Sequence, residues 1–194
     1  SWILHTPRYD FIYMFSSTLI KKLLGFLREI ILASFFGTSV SYGHYLLLKT
    51  IADFFSQFTF GNALQANLMP KFTKLFASSE SLNFSQVYIF SRIISIKLFI
   101  LSQFIQLPLI WYIDADNKLI FVFISVILGV LIACNFFNSI FLTILNARGD
   151  FKRYSLATTL NVFLSTVLLY PFLALFNLLG VVISRLIGVL TLTI

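Results

Sequence analysis

LIFVFISVILGVLIACNFFNSIFLTIL, residues 119–145, holds no Asp, Glu, Lys or Arg. About 20 such residues in a helix cross a hydrocarbon core about 30 Å thick, so this stretch reads as a membrane span. The rest of the chain agrees with it. The sequence is 59% hydrophobic and 11% charged, with a mean hydropathy of +0.94, which is far from the composition of a water-soluble domain.

Breaks between apolar runs divide the chain into six candidate helices, at residues 13–36, 45–69, 88–113, 119–145, 154–176 and 178–194. Gly37-Thr38-Ser39 closes the first, and Pro70 is expected to stop the second for want of an amide hydrogen. Pro108 is expected to kink the far end of the third, and Pro171 stands near the end of the fifth. The chain opens on Ser1 and stops at Ile194 inside the sixth run, so it reads as a fragment, and no cleavable signal pattern precedes the first run. The expected fold is an all-α polytopic membrane protein, a single bundle over residues 1–194.

Loop charges orient the bundle, because short loops rich in Lys and Arg stay in the cytoplasm. Arg8, then Lys71 and Lys74, then Arg148, Lys152 and Arg153 fall on one side; the loop after Phe36, the Asp114–Lys118 loop and the turn near Asn177 fall on the other. The first side is therefore expected inside, with the N-terminus. Tyr42, Tyr45, Trp111 and Tyr112 fall where an outer aromatic belt is expected, and Tyr88 and Tyr154 at an inner one. The same topology explains the formal net charge of +7 without nucleic acid, since no basic stripe is formed.

Several charges lie inside apolar runs, where each costs roughly 3 kcal/mol or more unless it faces a bundle interior or a watery cavity. In the first run Lys21 shares a helix face with Arg28, and Lys22 shares the adjoining face with Glu29, with Gly25 between them open to a neighbouring helix or a ligand head group. In the second, Lys49 and Asp53 are spaced to pair, and Ser56, Gln57, Asn62, Gln65 and Asn67 continue a polar stripe. Arg92 and Lys97 point in different directions on the third helix, and Arg185 adds a cation on the sixth. Each has a plainer alternative: Lys21 and Lys22 could snorkel, Arg28 and Glu29 could form a structural ion pair, Lys49 and Asp53 could merely neutralise each other, and Arg92 or Lys97 could reach an interface. Taken together, many cations and few anions around one space fit an anionic ligand such as a phosphate or pyrophosphate.

Chemistry of other kinds has no candidates. His5 and His44 stand near segment ends, no metal-ligand spacing occurs, no nucleophile sits beside a base, and the single Cys134 reads as a small packing residue. No catalytic residue, metal or cofactor is expected, and the chain reads as a non-enzyme. Arg148-Gly149-Asp150 reads as a charged turn.

Leu24-Gly25-Phe26-Leu27-Arg28-Glu29, the run to Gly37, and Ala63-Leu64-Gln65-Ala66-Asn67-Leu68-Met69-Pro70 resemble the start of the MurJ/MviN flippases, with the likeness strongest over residues 16–76. The loop Asn146-Ala147-Arg148-Gly149-Asp150-Phe151 is similar to loops of polysaccharide exporters in the same wider superfamily of multidrug, oligosaccharidyl-lipid and polysaccharide exporters. The resemblance implies that this chain is the N-terminal lobe of a two-lobe, alternating-access transporter. It would carry an undecaprenyl-pyrophosphate-linked saccharide, of the lipid II type, across the bacterial cytoplasmic membrane. Its partners would be that lipid, the membrane and a possible coupling ion. The family's Arg before Leu-Gly-Phe corresponds to Lys22, its next Arg to Arg28, and its usual acid to Glu29; its acid after the first helix falls on Gly43, beside His44, and its paired Arg on Ser56 and Gln57. The expected substrate-binding residues are Lys22, Arg28, Glu29, Lys49, Asp53, Ser56 and Gln57. An O-antigen or exopolysaccharide lipid intermediate stays open as the substrate, as does a multidrug or cation antiporter of the same superfamily, which would want acids in its cavity.

Overall fold

A computed structural model describes residues 7–60, 62–78, 83–113 and 116–193. They form eight helical segments and, among the described residues, no strand: α1 (Pro7–Phe36), α2 (Val40–Phe60), α3 (Asn62–Ala77), α4 (Phe84–Tyr112), α5 (Lys118–Ala147), α6 (Phe151–Val167), α7 (Leu169–Phe176) and α8 (Leu178–Thr193). His5, Gly61 and Asp114 lie outside the described residues, as do the side chains of Arg8, Gln57, Asn62 and Gln65.

Helix ends follow local chemistry. Pro7, which has no amide hydrogen to lose, occupies the first position of α1, and Gly37 at φ 54° ends it, donating to the Ala33 carbonyl at 3.0 Å. Asn83 caps α4 by accepting from the Gln86 amide at 3.4 Å, and Asp150 caps α6 by accepting from the Arg153 amide at 3.3 Å. Arg148-Gly149-Asp150 is thus a turn, with Gly149 at φ 75°.

One proline expectation needs correction. The second run does not stop at Pro70; it divides into α2 and α3 on either side of residue 61, and α3 passes through Pro70 to Ala77. Ala66, whose carbonyl the proline leaves without its helical partner, is exposed, so the missing bond is tolerated there. The fifth run bends at Leu168, between α6 and α7, because Pro171 can offer no amide hydrogen to the Val167 carbonyl.

Helix α5 is the axis of the bundle. It packs against α2, α3, α4, α6 and α8, and its Ile124, Leu128 and Ile132 are fully buried. Helix α1 docks along α6, and α8 fills the groove between α5, α6 and α7. Outward faces carry large apolar side chains, Phe11, Phe15 and Phe26 on α1 and Phe90 and Phe104 on α4 among them, a surface that hydrocarbon accommodates and water does not. Helices α4 and α5 and the bent α6–α7 unit (Phe151–Phe176) are long and apolar enough to cross a membrane, and α8 is a shorter apolar helix. The protein is an all-α polytopic membrane protein.

With lipid on the outside, close helix contact depends on small residues and internal polar pairs. Gly180, Ser184 and Gly188 recur every fourth residue on α8, and all three are buried. A Cβ on Gly180 would overlap the Phe172 carbonyl, and one on Gly188 would lie 2.8 Å from the Asn161 carbonyl oxygen. Gln106, fully buried, donates to the Leu48 carbonyl at 3.2 Å and so ties α4 to α2; the Ser125 hydroxyl of α5 lies 3.1 Å from Gln106 Oε1. Tyr45 does not stand in an outer aromatic belt: it is 1% exposed, one of the largest fully buried side chains. Trp111 and Tyr112 remain at the surface.

Candidate functional site

The site begins with the face of α1 that turns toward α6 and α8. Ser17, Lys21, Gly25 and Arg28 recur at helical spacing, so they form one stripe. Threonine and serine side chains on α6 meet it. The Ser17 hydroxyl lies 2.7 Å from Thr159 Oγ1, and Lys21 Nζ donates to Thr158 Oγ1 at 3.1 Å while standing 5.9 Å from the centre of the Tyr154 ring. Two turns further on, Arg28 Nη1 donates to the Ser165 carbonyl at 3.1 Å and Nη2 to the Val181 carbonyl at 3.2 Å. One guanidinium therefore fastens α1 to both α6 and α8.

Beyond these contacts α1 and α2 diverge, and a cavity of about 250 Å³ opens between them with α6 and α8 as its back wall. Lys21, Arg28, Lys49 and Arg185 line it against one carboxylate, Glu29. Tyr45 adjoins Arg185 and supplies a hydroxyl to the wall. Gly25 lines the same cavity, and no atom lies within 4 Å of where its Cβ would be; its bareness opens space for a ligand rather than for a packed helix. Like charges grouped in this way repel one another, and an anion would relieve the part that Glu29 and Asp53 do not.

A second cavity, about 160 Å³, adjoins the first and shares Val162, Ser165 and Arg185 with it. Asp53, Ser56, Asn135 and Asn161 give it a polar rim. Asp53 Oδ2 is 3.8 Å from Lys49 Nζ, so this ion pair stands on the border of the two compartments.

Of the residues singled out in the sequence, Arg28, Glu29 and Lys49 are brought together around the larger cavity, and Asp53 and Ser56 around the smaller. Lys22 is not with them. It is exposed on the far side of α1, and Lys21 takes the inward position. The side chain of Gln57 lies outside the described residues. Arg28 spends two donors on backbone carbonyls rather than on an ion pair with the exposed Glu29. Arg92 and Lys97 stand on the exposed side of α4, away from both cavities. Arg185, read from the sequence only as one more cation, is the residue that joins the two compartments. Asn135 and Asn161 gave no signal in the sequence, being single amides in apolar runs. Among the described residues no three His, Cys, Asp or Glu side chains group as metal ligands. Compared with protein-family models, curated proteins and solved structures, the chain matches none.

Proposed function

We propose that the chain is one lobe of a transporter that moves a polyprenyl-pyrophosphate-linked saccharide across the bacterial cytoplasmic membrane by alternating access, with its N-terminus in the cytoplasm and no chemical reaction of its own. The observation that carries this reading is the cavity lined by Lys21, Arg28, Lys49 and Arg185 against Glu29, set between α1, α2, α6 and α8. Four cations against Glu29 and the Asp53 paired with Lys49 leave an excess of positive charge, and a pyrophosphate has more than one negative charge and the oxygen geometry for guanidinium forks. Arg28 has three N–H groups left after its two carbonyl bonds, enough to hold an oxygen pair without releasing α6 or α8. Lys21 and Lys49 act as point charges beside it. A cation antiporter would want an excess of acids here, and the cavity has the opposite balance.

Pyrophosphate is common to lipid II and to O-antigen or exopolysaccharide intermediates, so the lipid II type is proposed on the sequence resemblance and the anion on the cavity. The test is rescue of cells depleted of their own lipid II flippase by the complete transporter, with membrane expression measured. Rescue by the natural protein, its loss in Arg28→Ala and partial retention in Arg28→Lys are the expected results. Normal rescue by well-expressed Arg28→Ala would refute the role given to Arg28, and no rescue by the natural protein would move the substrate to another lipid-linked polysaccharide.

A further inference from the structure

The smaller cavity differs in chemistry from the cationic one it adjoins. Its one acid, Asp53, is paired with Lys49, and its one cation, Arg185, is shared with the larger cavity. A metal ion or a sodium ion would meet one paired carboxylate and a guanidinium, and a second phosphate would meet Asp53. What remains on offer is neutral hydrogen bonding. The side chains of Ser56, Asn135 and Asn161 have no hydrogen-bond partner among the described residues, although each faces the cavity. Two primary amides and a hydroxyl present both donors and acceptors. The rest of the lining is largely apolar, with Leu128, Ile132 and Val189 among it.

A lining that mixes apolar side chains with uncommitted donors and acceptors suits a pyranose ring, whose carbon–hydrogen face is apolar and whose hydroxyls radiate from its edge. The volume fits one such ring: about 160 Å³ holds about five waters at ~30 Å³ each. Asn161 lies close against α8: its Oδ1 would be 2.8 Å from a Cβ at Gly188, so the bare glycine leaves the room that this amide occupies.

We infer that the compartment lined by Ser56, Asn135 and Asn161 is a subsite for a single neutral sugar ring, the residue attached directly to the pyrophosphate held beside it. This rests on the phosphate reading of the larger cavity, with Arg185 as the shared wall that bonds both parts of one ligand. The ligand class is therefore a glycosyl pyrophosphate, recognised at the junction of its sugar and its phosphate.

The experiment measures binding of two probes to the complete protein in lipid nanodiscs: a short-chain polyprenyl pyrophosphate, and the same molecule carrying one hexosamine. The natural protein is expected to bind the glycosylated probe about tenfold or more tightly, the worth of one or two polar contacts. Asn135→Leu and Asn161→Leu, each tested separately, are expected to erase that preference while binding of the bare pyrophosphate is kept. Equal binding of the two probes by the natural protein overturns the subsite and leaves the phosphate reading standing. A preference that survives both substitutions overturns its location in this cavity. Failure of the natural protein to bind either probe overturns the phosphate reading, and the subsite with it. The comparison on the natural protein needs no variant, so a variant that misfolds does not stop the test.

Discussion

Arg28 shows how one side chain can be fastened in place and still serve a ligand. Its two carbonyl bonds hold the guanidinium over the cavity, yet Arg185 close by repels it, and burial of the charge is costly. Stability and transport should therefore separate. Arg28→Met, which keeps much of the volume and removes the charge, is expected to leave the unfolding free energy within about 1 kcal/mol of the natural value, because apolar replacements of buried charges are often neutral or stabilising. Transport by the same variant should fall to background. Thermal unfolding in detergent alongside a flipping assay checks both. Gln106 is the opposite case, a polar residue with a packing role. Gln106→Leu removes the link from α4 to the Leu48 carbonyl and one acceptor for the Ser125 hydroxyl. It is expected to lower stability by about 1–2 kcal/mol, the upper range for polar contacts between membrane helices, with substrate affinity unchanged.

At the scale of elements, α8 is held by absence of side chains. The Gly180, Ser184 and Gly188 stripe lets it approach α6 and α7 closely enough for Arg185, next in sequence to Ser184, to reach both cavities. Gly188→Ala would set a methyl against the Asn161 backbone oxygen, which cannot yield as a flexible side chain could. A loss of about 1–3 kcal/mol is expected from overpacking, read as a lowered melting temperature. Ser184→Ala stays small and gives up one bond to the Val181 carbonyl of its own helix, so it should be near neutral. The α7–α8 turn carries a different strain: Asn177 sits at φ 52° and ψ −125°, a conformation glycine adopts freely and other residues do not. Asn177→Gly is expected to raise the melting temperature and Asn177→Ile to lower it.

For the whole molecule, the proposed orientation makes a prediction independent of substrate. Cysteines introduced for Lys118 and for Lys152 are separated by the whole length of α5, since Lys118 begins that helix and Lys152 follows the turn after it. With Cys134 replaced by Ala, a membrane-impermeant maleimide added to intact cells should label Lys118→Cys and spare Lys152→Cys until the membrane is opened. The reverse pattern would invert the topology inferred from loop charges.

Much was legible in the sequence. The apolar runs account for the helical class and for the three stretches long and apolar enough to cross a membrane, α4, α5 and the α6–α7 unit, because hydrocarbon thickness sets a length that composition alone can meet. The presence of costly charges in α1 and α2 was equally plain. Sequence spacing could not choose between Lys21 and Lys22, adjacent residues about 100° apart on a helix whose neighbours were unknown. Packing of α1 on α6 made that choice, through Thr158 and Ser165. The passage of α3 through Pro70 and the bend at Leu168 depended on whether each orphaned carbonyl found an acceptable setting. Asn135 and Asn161 became a pair because α5 and α6 are brought together around one small cavity. Residue chemistry and periodicity thus determined by themselves a membrane-spanning, all-helical chain with a cationic interior. Which cations share a wall, which amides face them and where Tyr45 is buried were decided by the tertiary structure, since these depend on helix rotations and close approaches between segments far apart in the chain.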